Sequence, residues 1–145
     1  MMRTIVTLVA LLAAQAVFAS AATLFHDGRF TEAATAGRAE NTAASLVVAG
    51  RATMVVASFD TVDRDRARAL IDAADHDFDA ALVLAPTSEE AALMKAQSVG
   101  YHGKLTKSPG LAKETRARIE AVLKQNPNNA LAWASLAGWH AGAVT

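Results

Sequence analysis

The chain has 145 residues, is 52% hydrophobic and 19% charged, and carries no formal net charge. That length and apolar content suit one compact domain with its own core. The charge balance argues against a nucleic-acid binder. The lack of cysteine excludes disulfides, thiolate zinc sites and lipidation through a cysteine.

The N-terminus reads as an export signal. Met1-Met2-Arg3 is a short positive leader, Ile5 to Phe18 is an apolar run broken at Gln15, and Ala19-Ser20-Ala21 is a small-x-small cleavage site. An apolar run of about 14 residues is too short for a bilayer, which needs roughly 20. Residues 1–21 are therefore expected to be a cleavable signal peptide, cut after Ala21 or Ala19. Residues 22–145 would form the mature domain, in the periplasm or outside a bacterial cell.

Six helices are expected beyond it, and nothing in the pattern suggests strands. The first runs from about Phe30 to Glu40, after Asp27-Gly28. The second runs from about Thr42 to Phe59. It is mostly apolar but has Arg51 at its centre, where a charge would be costly in hydrocarbon, so a buried helix of the domain is expected and not a membrane span. Asp60-Thr61 closes it and caps the third, about Val62 to Leu84. Pro86 breaks the chain, and Thr87 or Ser88 caps the fourth, about Glu89 to His102. Glu89 and Glu90 suit its first turn, where negative charge meets the helix dipole, and Gly103 is expected to end it.

Ser108 followed by Pro109 starts the fifth helix, which runs to about Gln125. Its packing face is Leu111, Thr115, Ile119, Val122 and Leu123. Asn128 and Asn129 are good capping residues for the last helix, about Ala130 to Ala141. That helix is read as packing through Trp133, Leu136, Ala137 and His140. Trp139 falls roughly 120° away from this face at 100° per residue. Two expectations follow for its indole. It is exposed and suited to a partner or to homodimerisation through the C-terminal helix, or it folds back on the fifth helix.

Two helices end alike. Ala74, Phe78 and Ala81 make a small–bulky–small stripe on one face, stopped by Pro86. Thr115, Ile119 and Val122 repeat it before Pro127. Together with Trp133, Leu136 and Ala137, with Gly28-Arg29-Phe30 and Ala33, and with Leu46, Ala49, Gly50 and Thr53, these residues resemble the tetratricopeptide repeat family over most of residues 28–142. The two prolines are 41 residues apart, against a family period of about 34, and the extra residues are expected in the loop 104–110.

The resemblance implies an all-α fold, with antiparallel helix pairs stacked as a short right-handed solenoid and Phe78 and Trp133 packed inside. It also implies a groove lined by the first helix of each pair. Carried onto this sequence, the groove positions include Val47, Arg51 and Met54 on one helix and Glu90, Leu93, Gln97 and Tyr101 on the next, with Trp139 as the added exposed indole. The expected function is a non-enzymatic scaffold or adaptor of the bacterial envelope that binds a peptide or protein, with no cofactor. The alternative is a periplasmic accessory protein of a transport system that binds a small ligand or a divalent metal.

Charge is unevenly spread. Residues 60–80 are acidic and residues 95–124 basic, a dipolar surface that can steer partners. In the acidic part, Asp72, Asp75, His76 and Asp79 share one helical face and could hold a divalent metal. The stronger expectation is a solvated face, with Arg68 pairing Asp72 four residues on. No glycine-rich phosphate loop, nucleophile elbow or histidine metal motif is present. His102 is read as a helix C-terminus residue and His140 as a packed one.

Overall fold

A computed structural model describes residues 19–143; the apolar part of the expected leader lies outside them. Among the described residues there are seven helices and no strand. They are α1 (Ala21–His26), α2 (Phe30–Glu40), α3 (Ala43–Phe59), α4 (Arg64–Leu84), α5 (Glu89–Thr106), α6 (Pro109–Gln125) and α7 (Ala130–Ala143).

The extra helix, α1, starts inside the expected cleavage site. Ser20 Oγ accepts the Thr23 N–H as its N-cap. Ala21 and Leu24 are buried against α2 and α3. Gly28 turns the chain into α2 at φ 75°, a conformation glycine adopts freely.

The caps explain the other boundaries. Thr42 and Ser45 form a reciprocal capping box at α3. Asp63 caps α4 by accepting from Arg66 N, so α4 begins later than Val62, which is fully exposed. Ser88, Ser108 and Asn129 cap α5, α6 and α7, and Pro109 sits in the first turn of α6.

Gly103 does not end its helix. α5 runs on to Thr106 and closes with Lys107 in the left-handed region, with Ser108 N–H donating 2.9 Å back to Gly103 O. A Cβ on Gly103 would meet Leu111 Cβ at 3.1 Å. That glycine serves close approach to α6, and the expected long loop shrinks to Lys107 and Ser108 between the two helices.

Each helix packs on the next, and α3 also touches α1 and α5. The main core joins α3 to α7 around Leu46, Ala74, Phe78, Leu93 and Ile119. A smaller cluster of Leu24, Ala33, Ala34 and Ala52 holds α1 and α2. Ala74, Phe78 and Ala81 are completely buried, as the stripe predicts.

Cross-links between alternate helices fall at a nearly constant interval. Arg38 of α2 bonds Asp77 of α4, and Arg51 of α3 bonds Glu90 of α5, both 39 residues apart. Gln97 of α5 bonds Ser135 of α7, 38 apart. These separations are close to the 41-residue proline spacing and longer than the roughly 34 of a tetratricopeptide unit.

α7 departs from its expected face. Trp133 is 53% exposed. Its indole N–H donates 2.8 Å to Pro127 O, which holds the ring beside the α6–α7 turn. The inward residues are instead Ala132, buried, Leu136, half-buried on the core, and Trp139. The helix is turned by one residue from the expected register, and His140 faces outward against the edge of the Trp139 ring.

Candidate functional site

Two clefts open along the odd-numbered helices. The first, about 240 Å³, lies between α1, α3 and α5. Arg51, Met54, Phe59, Met94 and Gln97 line it with Phe25. The second, about 490 Å³, lies between α5, α6 and α7, and includes Gln97, Tyr101, Ile119 and Trp139. Gln97 belongs to both, so the two clefts adjoin at that residue.

Arg51 does not sit in a dry core. It is half-buried, with its guanidinium 5.0 Å from the centre of the Phe25 ring and 3.5 Å from Glu90 Oε1. The cation lies over an aromatic face at the rim of the smaller cleft. The structure thus brings Arg51, Met54 and Gln97 together in one cleft and Gln97, Tyr101 and Trp139 in the other, with Glu90 held by Arg51. Val47 and Leu93, placed on the same face by the resemblance, are core residues instead.

Trp139 has a partner within the chain. Its indole N–H donates 2.8 Å to Ala112 O of α6, and Arg116 stacks 5.3 Å over its ring. The ring therefore forms a fixed wall of the larger cleft. α7 still leaves Leu131 and Trp133 about half exposed.

The acidic face of α4 is largely engaged from α5. Lys95 Nζ donates 2.6 Å to Asp75 Oδ2 and 2.8 Å to Asp79 Oδ2, and Ser98 Oγ donates to Asp75 Oδ1. Lys95 itself is buried. Burial pushes its ammonium pKa down, but the hydrogen bonds and charges of Asp75 and Asp79 outweigh this and raise it above the ordinary lysine value.

Asp72 lies 3.5 Å from His102 Nδ1, and Arg68 pairs with Asp65 instead of Asp72. His76 is exposed. Among the described residues no group of three or more His, Asp or Glu is placed to hold a metal ion. Sequence reading missed Lys95 because its three-dimensional partners lie on another helix, 16 and 20 residues back.

No family model matches the chain, and no curated protein or solved structure matches it either. Among the described residues no helix is long and apolar enough to cross a membrane.

Proposed function

We propose that this protein is an exported helical-repeat module that holds a peptide or protein partner along the face of its odd-numbered helices, in the manner of a tetratricopeptide-like scaffold. The observation that carries this reading is that two clefts share Gln97 as a lining residue, and we read them as one track from Phe25 to Trp139. Layered helices of this kind cannot bury their apolar stripes singly, and stacking them leaves an extended surface. The track combines aromatic and methionine side chains with Arg51 and Gln97. That mixture of rigid rings, adaptable thioethers and a few polar groups suits peptide recognition. The leader-like N-terminus supports a place in the cell envelope.

A photoreactive amino acid at position 97, compared with one at Arg118 on α6, tests the reading in the native host. A recurrent protein adduct from position 97 and none from position 118 is expected. Arg51→Ala should weaken that adduct while the far-ultraviolet circular dichroism stays helical. Equal adducts from both positions, or none from either, would remove the groove from the proposal.

A further inference from the structure

The larger cleft, at about 490 Å³, falls within the roughly 300–1,000 Å³ of small-molecule sites. Most of its polar groups are already satisfied. Gln97 Nε2 donates to Ser135 Oγ, and Ser135 Oγ donates to Leu131 O. Thr115 Oγ1 donates to Leu111 O, and Ser108 Oγ accepts from Leu111 N. The Trp139 indole N–H is taken by Ala112 O.

Three lining side chains have no hydrogen bond or ion pair among the described residues: Tyr101, Lys104 and Lys107. Among the described residues no carboxylate side chain lines the cleft. The other walls are Ile119, Ala112, the glycines at 100 and 138, and the indole face fixed by Arg116. Two exposed lysines and a half-buried tyrosine, none with a side-chain partner among the described residues, therefore line an apolar cavity walled by three helices.

We propose that this cleft binds a small amphipathic carboxylate, with its acid group on Lys104 and Lys107 and its apolar part against Ile119 and Trp139. Charge complementarity carries the choice. A cation would meet the two lysines with no acid to offset them. A neutral apolar molecule would use the apolar walls but leave the two lysines without a counter-charge. An anion joined to an apolar group satisfies both regions, through charge-assisted hydrogen bonds at one end and burial at the other. The inference takes the Trp139 end of the proposed peptide track for a small ligand, and the displacement arm of the test below separates the two readings.

Titration of the purified protein with 4-phenylbutyrate, followed by amide NMR, tests it. Saturable shifts at Gly100, Gly103 and Gly138 are expected, with affinity falling as salt rises. The matched cation 4-phenylbutylamine should leave those amides unmoved. Lys107→Gly is the decisive variant. Lys107 sits at φ 53°, where glycine carries no steric penalty, so the fold is kept while the ammonium is lost. It should bind roughly tenfold more weakly, and Lys104→Gln should do the same. Equal binding of acid and amine, unsaturable shifts, or wild-type affinity in both lysine variants would overturn the proposal. So would a partner cross-linked from position 97 that reaches Trp139 and is not displaced by 4-phenylbutyrate, since the cleft would then belong to that partner.

Discussion

The ring of Phe78 on α4 fills the space where a side chain on Gly50 of α3 would begin. A Cβ on Gly50 would fall 2.5 Å from Cε1 and 2.6 Å from Cζ of that ring, and Phe78 is fully buried, so it has no room to swing away. Gly50→Ala gains up to about 1 kcal/mol of helix propensity but overpacks the α3–α4 contact, a change that costs about 1–3 kcal/mol. A net loss of roughly 1–2 kcal/mol is expected from urea unfolding. Phe78→Leu in the Gly50→Ala background should recover part of it, as the two residues touch and their effects are coupled. A Gly50→Ala protein as stable as the wild type would mean that α3 and α4 lie further apart.

The ion pair between Arg38 and Asp77 ties α2 to α4. Arg38 Nε donates 2.9 Å to Oδ1, Nη2 donates 2.7 Å to Oδ2, and Nη2 also reaches Thr53 Oγ1 of α3 at 2.8 Å. The Asp77 side chain is 7% exposed and that of Arg38 42%. Asp77→Ala leaves Arg38 without its carboxylate but still with Thr53 Oγ1 and access to water. The expected cost is therefore about 1–3 kcal/mol, below that of breaking a fully buried pair. Asp77→Asn, which keeps one acceptor, should cost less. Identical urea midpoints for Asp77→Ala and the wild type would contradict the link.

How much of this was readable in the chain divides along local and distant physics. The stripe Ala74–Phe78–Ala81, the capping residues Ser88, Ser108 and Asn129, and the burial of Thr115 and Ile119 are local patterns, and the structure agrees with each. Where two rules competed, the sequence misled. Gly103 looks like a helix stop but is a close-packing glycine inside α5. In α7, size and apolarity favoured Trp133 as the core residue, yet the smaller Ala132 is buried while Trp133 bonds the turn. Lys95 and Asp77 entered the sequence reading only as members of the basic and acidic stretches of a dipolar surface, because their partners come from other helices. The two clefts are likewise products of helix stacking, although Arg51, Met54, Gln97 and Tyr101 among their lining residues are groove positions that the repeat resemblance implies.

Lys95 gives the fold an alkaline limit. Its pKa is raised in the folded protein, so its contribution to stability is complete below the unfolded value of about 10.4 and is lost as pH rises through the folded value. At pH 8, Lys95→Gln should be less stable by about 1–2 kcal/mol. The change leaves Asp75 and Asp79 facing each other without a cation, with solvent reaching the more exposed Asp79. The gap between wild type and variant should narrow above pH 10.5 and close as the ammonium deprotonates. Urea midpoints taken from pH 8 to 11.5 measure it. A gap that stays constant over that range would show that Lys95 acts through packing of its methylenes and not through its charge.

The two expected cleavage sites are not equivalent, because α1 begins at Ala21 with Ser20 as its cap. A cut after Ala21 removes the Ser20 cap, removes a residue with no exposed surface, and takes away the Ala21 N–H that donates 2.7 Å to Glu40 Oε1. A cut after Ala19 keeps all three. It also places the new ammonium at Ser20, at the start of a helix where positive charge is unfavourable, but near the Glu40 carboxylate that already receives Ala21. Loss of an N-cap alone costs about 1 kcal/mol, and an opened site at Ala21 adds to it. A signal peptidase working on an extended segment reaches Ala19 and Ser20, both exposed, without unwinding α1. N-terminal sequencing of the protein recovered from its host should therefore begin at Ser20. A mature chain beginning at Ala22 would mean that α1 forms without its cap and that Glu40 finds another donor, whereas retention of Met1 would remove the leader from residues 1–21 altogether.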